Sequence, residues 1–272
     1  MSHTLAPFLM PDGYAPPRLT ALLNERSLVE EAGRAVVRRG AGVVRRSRGE
    51  GAGEPVLLVP GFLAGDWSLV GLADRLRREG FRTYRSTIHA NVGCTLNAAA
   101  IVEARLESIV ERRGGRVQIV GHSLGGMIAR GLVVRRPDLV SGVVTMGSPM
   151  KAPAAHHPLL TGGVRLLTRL SDAGLPGMMS TDCVSGRCAH LSFYESRELL
   201  RPGVAMTNIY SRRDGIVDWR ACIDRQGTAV EVRASHIGMA FDPRVGDRVV
   251  AGLLGNRAQV EAAMSTGLGQ TA

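Results

Sequence analysis

Gly121-His122-Ser123-Leu124-Gly125 places a serine between two glycines. An apolar run (Val117-Gln118-Ile119-Val120) precedes it and a helix-like run (Met127 to Val134) follows. A chain that turns sharply from strand to helix at such a serine strains its backbone and lifts the hydroxyl clear of the sheet. Glycines flank it because a Cβ on either side would meet the neighbouring helix and strand. A serine hydroxyl is a poor nucleophile until a base takes its proton and a third group orients that base. Candidates for both lie downstream. Asp214 follows the strand-like run Val204 to Tyr210, and His236 follows Thr228 to Val232. Asp218, four residues after Asp214, competes for the acid's place, but Asp214 is nearer the strand end, where catalytic side chains emerge. The chain order Ser123, Asp214, His236 matches this strand–turn–helix chemistry.

Attack on an acyl carbonyl also needs two donors for the developing oxyanion. One candidate is the backbone N–H of Leu124, at the start of the helix after the serine. The other is that of Phe62, with Leu63 next in line, in the loop Pro60-Gly61-Phe62-Leu63 after the apolar run Val56 to Val59. Of the remaining histidines, His122 sits within the turn and reads as a support. His89 follows the second strand and could line the pocket, and His156 and His157 fall in an inserted segment.

These residues need a scaffold. Short continuous apolar runs such as Val56-Leu57-Leu58-Val59 read as strands buried in a parallel sheet. Further strands are expected at Arg82 to Ser86, Val117 to Val120, Leu139 to Met146, Val204 to Tyr210 and Thr228 to Val232. Helices are expected at Leu19 to Val44, Leu69 to Glu79, Leu96 to Arg113, after the serine, and at Asp247 to Leu254. The alternation implies βαβ units. It fails between Pro149 and Pro202. That stretch is too long for a plain loop and too apolar for a disordered one, so it reads as a cap beside the site. The resulting division is an N-terminal helical and extended arm (1–50), one α/β domain (51–264) with a cap insertion at 150–202, and a tail (265–272).

Composition narrows the partners. The net charge is +10 and Lys151 is the only lysine, so the positive charge is almost all arginine. A GC-rich coding sequence accounts for that. A basic amphipathic segment resting on anionic lipid is the competing account for the cluster Arg34, Arg38, Arg39, Arg45, Arg46 and Arg48. An aromatic content of 4% removes stacking platforms for single-stranded nucleic acid, and nucleic acid is not an expected partner. Residues 1–17 hold no basic stretch followed by an apolar core, so a cytoplasmic protein is expected, with membrane association through the arginine-rich segment as the variant. Cys183-Val-Ser-Gly-Arg-Cys188 is short enough to close a local disulfide, with two free thiols as the alternative in a reducing cytoplasm. With His190 it imitates half of a metal site that lacks a second half.

Taken together, Val59-Pro60-Gly61-Phe62, Gly121 to Gly126, Ile209 to Trp219 and Ser235-His236-Ile237-Gly238-Met239 resemble the lipase/esterase branch of the α/β-hydrolases. Thr145-Met146-Gly147-Ser148-Pro149 is similar to triacylglycerol-lipase-like sequences. The resemblance spans roughly residues 55–254. It implies an α/β-hydrolase fold, a mostly parallel central sheet flanked by helices with a small cap. It further implies a Ser–Asp–His triad, an acyl-enzyme intermediate, a small-molecule or lipid ester substrate, and no metal or organic cofactor. Pro-Gly-Phe stands where relatives carry His-Gly. An acyltransferase using the same triad, and a non-catalytic binding protein on the same scaffold, are the alternatives.

Overall fold

Val56 and Leu58 pack into one hydrophobic core and Leu57 and Val59 into another, because successive strand residues point to opposite faces. A run buried on both faces is the signature of a central strand in a sheet covered by helices on each side. The computed structural model describes residues 5–40 and 49–268. Its strands are β1 (Pro55–Val59), β2 (Arg82–Arg85), β3 (Val117–His122), β4 (Val140–Met146), β5 (Ala205–Tyr210) and β6 (Thr228–Glu231). They form one sheet in the order β2-β1-β3-β4-β5-β6, and every pairing between them is parallel.

The helices are α1 (Leu28–Gly40), α2 (Val70–Arg78), α3 (Thr95–Arg113), α4 (Leu124–Arg135), α5 (Pro158–Asp172), α6 (Asp182–Ser185), α7 (Arg187–Glu195) and α8 (Pro243–Leu268). Leu72 and Leu76 of α2 join Val245, Val249 and Leu253 of α8 in the core on one face of the sheet. Val102, Leu106 and Ile109 of α3 join Ile128, Leu132 and Val133 of α4 on the other. From β1 the chain crosses to β2 at the edge, returns to β3 on β1's other side, and proceeds outward. The loops after β1 and β3 therefore diverge at a switch point, which opens a crevice at the strands' C-terminal ends.

Two expectations are corrected. The first helix does not run from Leu19 to Val44: Leu19–Ser27 is a 3-10 turn, α1 begins at Leu28, and Val43 and Val44 lie outside the described residues. The last helix runs from Pro243 to Leu268, well beyond Asp247 to Leu254 and into the expected tail. The four cysteines are free thiols, and Cys188 Sγ meets Cys94 Sγ at 3.2 Å. The segment expected as a cap is helical, carrying α5, α6 and α7.

Two of the clustered arginines pair with acids at the start of α8. Arg34 pairs with Asp242 at 3.1 Å and Arg38 with Asp247 at 3.2 Å, fastening α1 to the start of α8. The Arg39 side chain and residues Arg45, Arg46 and Arg48 are outside the described residues. No helix among those described is long and apolar enough to cross a membrane.

Candidate active site

The turn from β3 into α4 holds Ser123 at φ 52°, ψ −121°, a conformation that non-glycine residues rarely adopt. The surroundings leave no alternative. A Cβ on Gly121 would lie 2.4 Å from Gly126 Cα, and one on Gly125 would lie 2.2 Å from the Val59 carbonyl oxygen. The helix packs backbone to backbone against β3 and β1, and the Ser123 N–H donates to the Met146 carbonyl at 2.8 Å. Ser123 faces a cavity of about 120 Å³ lined mainly by apolar side chains, among them Leu124, Met127, Leu160, Val164 and Phe193.

Asp214 and His236 emerge beyond β5 and β6. Asp214 Oδ1 accepts the N–H groups of Ile216 and Val217, both at 2.8 Å. Those bonds aim Oδ2 at His236 Nδ1, 2.7 Å away. Asp218 is occupied elsewhere: it accepts from the Arg220 guanidinium at 2.7 Å, from the Arg220 N–H at 3.0 Å and from the Ala15 N–H at 3.3 Å. Of the two sequence candidates, the structure brings Asp214 to His236. His236 is 5% exposed. Burial disfavours its imidazolium, but the carboxylate of Asp214 and the charge of Glu25 outweigh this, and its pKa lies above the ordinary 6.5. His122 supports it from beneath. The two rings lie 5.0 Å apart and His122 Nε2 donates to the His236 carbonyl at 2.9 Å. Burial, with His236 adjacent, holds the His122 pKa down to about 3, so this ring is neutral and fixed as a donor at Nε2.

Phe62 and Leu124 line the cavity beside Ser123. Leu124 opens α4, where N–H groups have no partner within the helix. The N–H of Leu63 is taken by the Asn91 carbonyl at 3.0 Å. His89 is exposed and does not line the cavity, whereas His156 does. His157 caps α5 by accepting the Leu159 N–H.

Several residues at the site carry no sequence signal. Glu25, in the N-terminal arm, accepts the N–H groups of Gly215 (3.0 Å), His236 (2.9 Å) and Ile237 (3.2 Å). One carboxylate thus ties the Asp214 loop to the His236 loop. Glu31, 1% exposed, accepts the Ser235 N–H at 2.8 Å and its hydroxyl at 2.5 Å. Asn91 donates from Nδ2 to the Pro60 carbonyl at 2.9 Å and braces the Phe62 loop. Leu5 and Leu9 of the arm line the cavity. All of these contacts join segments remote in the chain, which no local pattern records.

Residues 56–265 match the model of the alpha/beta hydrolase family. A triacylglycerol lipase of Vibrio cholerae serotype O1 is 31% identical over 106 residues, a match covering 37% of this chain and 34% of that protein. The chain therefore matches about a third of that relative's length. Among solved structures, the mature Bacillus licheniformis lipase BlEst2 superposes with a TM-score of 0.58 at 15% identity, over 75% of this chain and 92% of that one. A metagenomic carboxyl esterase gives 0.58 at 17% identity, over 94% of this chain and 98% of that one. At such identities the likeness is one of fold.

Proposed function

The chain belongs to the alpha/beta hydrolase family, and from that premise we propose that it is a serine carboxylic-ester hydrolase of the lipase/esterase type. Ser123 is the nucleophile, His236 the general base, Asp214 the residue that orients it, and the Phe62 and Leu124 N–H groups form the oxyanion hole. One observation carries the reading: a serine in a strained turn opens onto an apolar cavity, with a 2.7 Å His236–Asp214 pair on the neighbouring loops.

The steps of this reading are those of a serine nucleophile with a histidine base. Asp214 holds the proton on Nδ1, so Nε2 carries the lone pair that receives the Ser123 proton. Ser123 Oγ bonds to the acyl carbon, and the carbonyl electrons move onto oxygen, where the two N–H groups stabilise them. Each such donor contributes on the order of 3 kcal/mol. Collapse of the tetrahedral species breaks the bond to the alcohol, which leaves with the proton from His236. Water then repeats the sequence on the acyl-enzyme. The apolar lining favours an acyl chain in the cavity.

The test pairs an active-site-directed fluorophosphonate with a p-nitrophenyl ester series. The expected result is one covalent adduct, mapped to Ser123 by mass spectrometry, with ester turnover. Both should vanish in Ser123→Ala. Absence of labelling together with absence of turnover would overturn the reading, and labelling without turnover would direct the acyl group to an acceptor other than water.

A pH profile gives a second check. Only neutral His236 can take the serine proton, so kcat/KM falls as pH drops through the His236 pKa. The inflection is expected above 6.5, because that pKa is raised. Glu25→Gln removes one of the charges that raise it, so the inflection should move downward. An unmoved inflection would remove Glu25 from the electrostatics of the site.

A further inference from the structure

Three cysteine sulfurs meet where the cap joins the sheet domain. Cys94 immediately precedes α3, Cys183 lies in α6 and Cys188 in the first turn of α7. Their Sγ atoms all lie within 4.8 Å of one another. The chain builds this meeting. Asp182 accepts the N–H groups of Arg187 (2.8 Å) and Cys188 (3.2 Å), which folds the two short helices against each other and turns Cys183 and Cys188 toward one point. The cap is docked there by the Met179 N–H, which donates to the Val92 carbonyl at 2.9 Å, two residues before Cys94. The sulfur of Cys94 meets that of Cys188 at 3.2 Å. It lies at the N-terminal end of a 19-residue helix, where negative charge is favoured.

We propose that Cys94, Cys183 and Cys188 form a trithiolate site for one zinc(II) ion that pins the cap to the start of α3. Thiolates are soft ligands suited to zinc. At a Zn–S distance of about 2.3 Å, sulfurs at tetrahedral corners stand about 3.8 Å apart, so the cluster needs only small side-chain shifts to close around the ion. A disulfide would consume two sulfurs and leave the third against it, whereas an ion uses all three. His190 does not join them: its ring packs against Phe8 and Tyr194, with centroids 5.5 and 4.3 Å away. Cys94 and Cys183 are half-buried, which leaves an open side for water as the fourth ligand. On binding, each thiol releases its proton to solvent and no electrons move. Cys183 also lines the cavity in front of Ser123, so the ion would hold one wall of the acyl pocket without touching the reacting atoms.

The test uses the full chain, purified with a thiol reductant and dialysed against zinc(II). Elemental analysis is expected to find one zinc per chain. Cadmium(II) is expected to give the ultraviolet thiolate-to-metal charge-transfer band at one equivalent. Cys94→Ser and Cys188→Ser should each weaken zinc binding at least tenfold, and Cys222→Ser should leave it unchanged. Cys183→Ala gives a third variant if either of the first two misfolds. Zinc occupancy no higher than in the Cys94→Ser/Cys183→Ser/Cys188→Ser protein, with all three thiols open to iodoacetamide, would overturn the proposal. So would a wild-type mass two hydrogens low, which reports a disulfide. Neither outcome alters fluorophosphonate labelling of Ser123, so failure here is separable from failure of the hydrolase reading.

Discussion

Asp214→Asn is expected to lower kcat for ester hydrolysis by about 10⁴, roughly 5 kcal/mol of barrier. Asparagine is the informative substitution because it keeps the turn. Its Oδ1 can still accept the N–H groups of Ile216 and Val217 that Asp214 binds at 2.8 Å. In the place of Oδ2, 2.7 Å from His236 Nδ1, stands an NH₂ group that can only donate. Nδ1 must then be the unprotonated nitrogen, and the proton moves to Nε2, where it blocks transfer from Ser123. The fold survives and the tautomer is wrong. Asp218→Asn is the control: that side chain is held by Arg220 and the Ala15 N–H, and its loss should change kcat by no more than a few-fold. Steady-state kinetics of both variants, with thermal midpoints to verify folding, decide the matter. A large loss in Asp218→Asn and a small one in Asp214→Asn would reverse the assignment.

The parts of the fold that could be read from the chain are those in which burial and chemistry leave a local trace. Val56 to Val59 and Val117 to Val120 are apolar because both faces of a central parallel strand are covered, and Ser123 and Asp214 each follow such a strand, whereas His236 follows the exposed edge strand β6. The true length of α8 escaped for a physical reason. Asn256 sits fully buried on its core side, where it pairs with Thr207 at 2.9 Å and donates to Gln118 Oε1 and the Val143 carbonyl, each at 3.2 Å. A satisfied buried amide breaks the apolar period that marks a helix face. The start of α8 did carry a signal, in Asp242-Pro243: Asp242 accepts the Arg244 N–H at 2.8 Å and proline favours the first helical position. Glu25, Glu31 and Asn91 left none, because each acts on backbone groups of distant segments. The arm that carries the two glutamates reads as an appendage in the sequence, yet it braces the loops of Asp214 and His236. Cys94 was invisible as a partner for the same reason: its neighbours at Cys183 and Cys188 arrive only when the cap folds over α3.

Asp224→Ala is expected to cost about 3–5 kcal/mol of stability, a fall in thermal midpoint of roughly 6–20 °C for a domain of this size. Arg130, on α4, is 0% exposed and its partner Asp224 is 1% exposed, with Nε to Oδ2 at 3.0 Å. Arg130 also donates from Nη2 to the Glu198 carbonyl at 2.6 Å, and Lys151 approaches Asp224 Oδ1 at 3.4 Å. Lys151 precedes α5 and Glu198 follows α7, so this pair ties both ends of that helical segment to the sheet. Burial pushes the Asp224 carboxyl up, but the Gln226 N–H, Arg130 and Lys151 outweigh it and leave the pKa below the ordinary 3.8. A carboxyl with a depressed folded pKa stabilises the protein fully above its unfolded value, and that contribution is lost as pH falls through the folded one. The gap between wild type and Asp224→Ala should therefore be complete at neutral pH and shrink below 3.8. Truncation strands a guanidinium where water cannot reach it, and the cost comes from that stranded charge more than from the lost attraction. Replacing both partners, Arg130→Met with Asp224→Leu, should accordingly recover most of the stability, while Lys151→Met, which removes a partly exposed charge at the rim of the pair, should cost less than the Asp224→Ala truncation. Equal losses in the single and double variants would show that the pair contributes net attraction, and would overturn this account of how the α5–α7 segment is anchored.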